Sequence, residues 1–247
     1  MELSKVLVIN PNSSVSMTDE IRKNIENVYL IKARVLSFQV EYFTGPPSSP
    51  SQIDGIETSL QSTKECLPYL IEPESKYYYQ KFHGILVACF SDHPLVHELI
   101  NFASKAEYDV PIIGLLNSSI QYCTLLENKN FSIITSNKEW VDILNKSVEE
   151  NFITESIKKQ QLWRGTISTE LQVLDLHSKC NYQGIINIIK SENIERLKSK
   201  IIILGCAAFS SLTNDLTATF KQDNIEFIDT IILGINTLIS LIEYRKL

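Results

Sequence analysis

A chain of 247 residues, 44% of them hydrophobic, can bury a substantial core in one large domain or two smaller ones, and wholesale disorder is excluded. The formal charge is −6 and Lys and Arg are scattered along the chain, which excludes a general nucleic-acid binder relying on grouped cations. No signal-peptide pattern follows Met1. The longest apolar stretch is broken by Asp229 and Asn236, so it reads as strand plus helix and no membrane partner is expected.

Lys5 to Asn10 reads as a first buried strand. It runs into Pro11-Asn12-Ser13-Ser14-Val15-Ser16-Met17-Thr18, a loop rich in capping residues, with Ser16 or Thr18 expected to cap the helix that follows. A second strand is predicted over Arg34 to Val40. Thr44-Gly45-Pro46-Pro47-Ser48-Ser49-Pro50 must be a loop. A helix from Ile56 to Leu70 leads to a strand ending at Cys89, and His93-Pro94 opens a helix to about Lys105. Val110 to Gly114 is a short strand, with Asn117-Ser118-Ser119 before the next helix. Phe131 to Thr135 is a strand, followed by Ser136-Asn137 and a helix containing Trp140. Leu171 to Leu176 is expected as a strand and Asn181 to Ser191 as a helix. Lys200 to Gly205 then leads to Cys206, and a last strand over Ile225 to Asp229 precedes a C-terminal helix.

Strands alternating with helices at this spacing indicate parallel βαβ units. The order occurs twice, because the interval from Asn10 to Cys89 recurs at nearly the same length from Thr135 to Cys206. Each half places one cysteine at the carboxyl end of a buried strand, where open α/β sheets hold ligands. If the halves face each other, one thiolate can remove a proton from a carbon acid while the opposite thiol returns one with inverted configuration. Backbone N–H groups after each cysteine would stabilise enolate-like charge. Both cysteines stand where a strand should give way to a helix, so either is expected as a thiolate near neutrality. The other cysteines, Cys66, Cys123 and Cys180, lack this context and are taken as structural.

No CxxC pair or Cys/His zinc spacing is present, so free thiols in a reducing, cytoplasmic setting and no metal are expected. His93 and His97 lie four residues apart, but Pro94 intervenes and no HExxH arrangement surrounds them. His93 remains a candidate for tuning Cys89. Asp175 and Asp229 at strand ends read as helix caps or loop bonds. The terminal Arg245-Lys246-Leu247 differs from a peroxisomal tail by the bulk of Arg245.

Val8-Ile9-Asn10-Pro11-Asn12-Ser13-Ser14, Ala88-Cys89-Phe90-Ser91-Asp92 and Leu204-Gly205-Cys206-Ala207 together resemble the hydantoin and allantoin racemases within the aspartate/glutamate racemase superfamily. The Gly45-Pro46 loop, Pro111-Ile112-Ile113-Gly114 and Phe227-Ile228-Asp229 fall in the same order. The resemblance implies an α/β chain of two pseudo-symmetric Rossmann-like domains with mostly parallel sheets and the active site in the cleft between them. It further implies a cofactor-independent two-cysteine mechanism, a small-molecule substrate and a homo-oligomer. Asn10, Phe90, Ser91, Asn117, Thr135, Ser136, Ala207 and Ala208 are implied to hold the substrate. Asn117 stands where many relatives carry a glutamate, Ala208-Phe209 replaces a frequent Gly-Met, and Thr230 replaces a frequent glycine.

The expected division is residues 1–115 with 215–247 around Cys89, and residues 116–214 around Cys206. The expected function is racemisation of a 5-substituted hydantoin, with allantoin favoured. An amino-acid racemase of the aspartate/glutamate type and a non-catalytic metabolite-binding relative are the alternatives.

Overall fold

The computed structural model describes residues 3–31, 38–126, 128–177 and 179–246. The chain divides into two compact units, Met1–Leu115 with Ile231–Leu247, and Leu116–Thr230. Residues 215–230 therefore belong with the second unit, not the first as expected. The reason is strand pairing: the strand at Glu226–Ile228 is bonded to the one that leads to Cys206.

In the first unit, strands β1 (Ser4–Asn10), β2 (Phe38–Thr44), β3 (Gly84–Val87) and β4 (Ile112–Gly114) form a parallel sheet in the order β2-β1-β3-β4. Helices α1 (Val15–Ile31), α2 (Ile56–Ile71) and α3 (Pro94–Lys105) connect them. Of the second strand expected over Arg34 to Val40, residues 34–37 lie outside the described residues, and β2 continues past Val40 to Thr44. Val6, Leu7, Val8 and Ile9 of β1 and Ile85, Leu86 and Val87 of β3 are all buried, the continuous apolar pattern of strands covered on both faces.

All of α4 (Leu115–Leu125) but its first residue belongs to the second unit, and the helix takes in the Asn117-Ser118-Ser119 segment expected to precede it. Strands β5 (Phe131–Thr135), β6 (Trp163–Ser168), β7 (Ile201–Leu204) and β8 (Glu226–Ile228) form a second parallel sheet in the matching order β6-β5-β7-β8. Helices α5 (Glu139–Asn151), α6 (Glu155–Gln160), α7 (Tyr182–Ile188) and α8 (Thr213–Thr219) complete it, with α7 continuing as a π-helical stretch, Ile189–Arg196. Here the expected strand over Leu171–Leu176 is corrected. That segment holds a 3₁₀ turn, Val173–His177, because Val173 and Leu176 bury one face at i, i+3 spacing. The strand is instead β6, whose pairing with β5 is interrupted by a bulge beside Gly165, at φ +103°.

The C-terminal helix α9 (Thr230–Tyr244) packs in the first unit. Its Ile231, Ile235, Leu238 and Ile242 form one buried stripe, and Gly84 lets it approach β3, since a Cβ there would lie 2.7 Å from Ile242 Cδ1. Correspondingly, α4 follows the last strand of the first sheet but packs in the second unit. Tyr122 on α4 donates to Glu226 Oε1 at 2.8 Å, and Lys129 pairs with Glu226 Oε2 at 2.8 Å. No helix among the described residues is long and apolar enough to cross a membrane.

Candidate active site

In each sheet the chain leaves its first strand on one side and returns on the other, so the loops after β1 and β3, and after β5 and β7, flank a topological switch point. The pairing of β1 with β3 and of β5 with β7 runs in corresponding register to the strand ends. Ala88 N–H donates to Ile9 O at 2.7 Å, and Gly205 N–H donates to Ile134 O at 2.8 Å. Each cysteine is thus the next residue after a bond that ties it to the end of β1 or β5. Gly45 N–H to Asn10 O and Thr169 N–H to Thr135 O, both 2.9 Å, repeat the correspondence on the other flank.

In the first unit, Asn10 is buried and its amide is committed to the loop. Asn10 Nδ2 donates to Asn12 Oδ1 at 3.0 Å, Ser14 O at 3.1 Å and Thr18 Oγ1 at 3.0 Å, while Asn12 N–H donates to Asn10 Oδ1 at 3.3 Å. The start of α1 is served by Ser14, whose Oγ accepts from Met17 N–H at 3.4 Å, not by Ser16 or Thr18. Thr18 is drawn away by a 2.7 Å bond to Thr44 Oγ1. Cys89 is half-buried, with its Sγ 3.7 Å from Ser91 Oγ. Phe90 and Ser91 are themselves buried.

Cys89 does not stand at a helix N-terminus. His93 caps α3, accepting at Nδ1 from Leu95 N–H at 3.2 Å. Its Nε2 lies 3.2 Å from Ser62 Oγ, so both ring nitrogens have partners other than the Cys89 thiol. The expected tuning of Cys89 by His93 is corrected accordingly. Burial also pushes the imidazole pKa down to about 3, with the neighbouring His97 adding to the effect, and the ring is neutral. His97 turns outward to Asp92 Oδ1 at 2.7 Å. Among the described residues no cluster of His, Cys, Asp and Glu is placed to hold a metal ion.

Helix α2 binds the loops at this end of the sheet. Besides Ser62, Cys66 donates its thiol hydrogen to Pro11 O at 3.3 Å and lies 3.6 Å from Ser49 Oγ. Ser48 Oγ donates to the Glu65 carboxylate and Gln61 Nε2 to Ser48 O. The signal for these residues is Ser59, Ser62, Thr63 and Cys66 at i, i+3, i+4 and i+7, a small polar stripe where a core helix is normally aliphatic.

In the second unit, Thr135 and Ser136 are buried. Thr135 Oγ1 donates to Gly205 O at 3.3 Å, and Ser136 O accepts from Ser168 Oγ at 2.7 Å and Thr169 Oγ1 at 3.0 Å. Asn117, on the first turn of α4, is half-buried and falls in this unit. Cys206 is the N-cap of a 3₁₀ helix, Ala207–Leu212, so the helix-terminus expectation holds here alone. Ala207 is half-buried and Ala208 buried. The expected thiolate is corrected for Cys206: burial pushes its pKa up to about 11, against the smaller opposing effect of the Ala208 backbone hydrogen bond. This direction favours the thiol over the thiolate. Asp229 forms a loop bond, accepting from Ser210 Oγ at 3.2 Å and Thr213 Oγ1 at 3.4 Å. It thereby fixes the turn that follows Cys206.

The duplicated parallel sheets have counterparts among known proteins. The family model described as Asp/Glu/Hydantoin racemase matches residues 6–238. The chain belongs to this racemase family. Protein DCG1 of Saccharomyces cerevisiae is 54% identical over 242 residues, covering 98% of this chain and 97% of that protein. An allantoin racemase structure from Klebsiella pneumoniae superposes with a TM-score of 0.72 at 21% identity, covering 98% of this chain and 88% of that one. The allantoin racemase of Pseudomonas fluorescens gives 0.73 at 14% identity, covering 97% and 91%. The α/β fold with two four-stranded parallel sheets is that of the racemase family.

Proposed function

We propose that this chain is a cofactor-independent racemase of a 5-substituted hydantoin, with allantoin the favoured substrate, and that Cys89 and Cys206 are its two proton-transfer residues. The observation supporting this reading is the repeated placement of the thiols, each one residue beyond an equivalent bond to the unit's first strand. The stereocentre of such a ring lies beside a carbonyl, which takes up the electron pair when its C–H bond breaks. One cysteine, as thiolate, accepts that proton. The other delivers its S–H hydrogen to the opposite face, the carbon–hydrogen bond re-forms inverted, and the two cysteines exchange protonation states. A high pKa at Cys206 suits the delivering role in the resting protein, with Cys89 as the acceptor. Ser91, Thr135, Ser136, Asn117 and the backbone around Phe90, Ala207 and Ala208 are assigned to the polar ring and its ureido substituent. Asn10 acts indirectly, by shaping the loop after β1.

The test is proton exchange in deuterated water with each enantiomer of allantoin. The wild-type protein is expected to racemise both and to introduce deuterium at the stereocentre. Cys89→Ser and Cys206→Ser are each expected to lose racemisation by about a hundredfold or more. Retained exchange and racemisation in both variants would overturn the mechanism. A parallel polarimetric panel of allantoin, a 5-alkylhydantoin, aspartate and glutamate tests the substrate, and turnover of the amino acids in preference to allantoin would overturn that assignment.

A further inference from the structure

An N-cap needs only a short acceptor, and serine, asparagine or aspartate at the head of α3 would serve it. This chain instead buries an imidazole completely at position 93, where a charged ring would be costly. The second nitrogen explains the choice. Leu95 N–H occupies Nδ1, so the ring hydrogen sits on Nε2 and points to Ser62 Oγ. Ser62 in turn donates its own hydrogen to Ser59 O at 2.9 Å. Every hydrogen in this chain of bonds has one consistent placement, running from α3 through the ring to the backbone of α2.

The neighbouring polar residues of the α2 stripe show why Ser62 is distinctive. Ser59 and Thr63 return their hydroxyls to their own helix, at Gly55 O (2.8 Å) and Ser59 O (2.9 Å). Cys66 reaches the loops after β1 and β2. Ser62 reaches the loop after β3, which is Cys89-Phe90-Ser91-Asp92 with His93 at its far end. That loop is pinned at its near end by the Ala88 bond to Ile9 and at its far end by His93.

We propose that His93 and Ser62 are positioning residues for Cys89, bracing the far end of its loop against α2 so that the thiol is held for proton transfer. This rests on the assignment of Cys89 to that reaction. Neither residue touches substrate in this scheme.

The two nitrogens allow cap and brace to be separated. His93→Asn places an acceptor where Nδ1 lies and keeps the cap, but cannot reach Ser62. His93→Gln places an amide where Nε2 lies and keeps the brace while weakening the cap. The full-length protein would be labelled with iodoacetamide, each cysteine followed by peptide mass spectrometry, and allantoin racemisation measured alongside. With His93→Asn and with Ser62→Ala, Cys89 is expected to label about fivefold faster while kcat falls about tenfold at nearly constant KM. Labelling of Cys206 and of buried Cys66 should not change, which separates a loosened loop from general unfolding. His93→Gln is expected to stay close to wild type in both readouts. The proposal is overturned if His93→Asn behaves as wild type while His93→Gln does not, since His93 is then a helix cap alone. It is also overturned if Ser62→Ala leaves Cys89 labelling unchanged, whatever the His93 variants do. A wild-type protein that leaves allantoin unchanged would refute the functional reading, whereas the labelling arm would still decide the brace.

Discussion

The contact between the loops after β1 and β2 makes Gly45→Ala a quantitative test of how rigidly this end of the first sheet is built. A Cβ at position 45 would lie 2.5 Å from Pro11 O, 2.9 Å from Asn12 O and 3.0 Å from Asn12 C. All three atoms are backbone, so no rotamer change relieves them. Reaching an ordinary 3.4 Å contact requires the Pro11–Asn12 backbone to retreat by about 0.9 Å. That segment is held by the Asn10 amide, by Ser14 N–H on Asn12 Oδ1 and by the Cys66 thiol on Pro11 O. Forced repacking of this kind costs about 1–3 kcal/mol, and stretching the Gly45 N–H bonds to Asn10 O and Asn12 O adds about 1 kcal/mol. The reduced entropy of the unfolded chain offsets roughly 0.5–1 kcal/mol. A net destabilisation of about 1–3.5 kcal/mol is expected, read in urea as a lower midpoint at unchanged m-value. Gly184→Ala, on the exposed side of α7 with nothing within 4 Å of its Cβ, is the control and should be neutral or stabilising by up to about 1 kcal/mol. If Gly45→Ala shifts stability by less than about 0.5 kcal/mol, the two loops yield freely and this end of the first sheet is not rigidly built.

Acid stability provides a second test. His93 has its pKa lowered from 6.5 to about 3 in the folded chain, so between those values the unfolded chain binds a proton that the folded chain refuses. Its contribution is therefore full above the ordinary imidazole pKa and is lost as pH falls towards about 3, amounting to several kcal/mol by linkage. Urea midpoints between pH 7 and 4.5 should fall more steeply for wild type than for His93→Asn, and equal slopes would contradict the burial of a neutral ring. Asp229→Asn keeps the shape but removes the charge that Ser210 and Thr213 address. A loss of about 1–2 kcal/mol and faster alkylation of Cys206 are expected, and unchanged Cys206 labelling would show that the turn needs no such anchor.

The central strands were legible because their apolar runs end abruptly in small or polar residues, as Ile9-Asn10, Ala88-Cys89 and Gly205-Cys206 do. Repetition of that punctuation made the duplicated fold readable and singled out the two thiols. Strand β6 was not legible because it is an edge strand, half-exposed over most of its length, and Gly165 breaks its alternation with a bulge. Leu171–Leu176 looked more strand-like only because its apolar residues are closely spaced. The brace at Ser62 escaped notice because it depends on contact between α2 and α3, 31 residues apart, and because periodicity searches look for apolar stripes. The raised pKa of Cys206 is likewise a property of its packed surroundings, which a strand-end position does not reveal.

The placement of α9 constrains how the chain matures as it is synthesised. All strands and internal helices of the second unit precede Ile231, so that unit has its full complement before α9 is made. The first unit must wait, with Leu86 and the backbone at Gly84 lacking the cover that Gly234, Leu238 and Ile242 later provide. The N-terminal unit is therefore the last to close, and an apolar sheet face persists through most of translation, the interval in which a nascent chain is most exposed to aggregation. Domain-by-domain folding from the N-terminus is unavailable to this topology, and shortening the chain within Ile231–Tyr244 would damage the unit that was synthesised first.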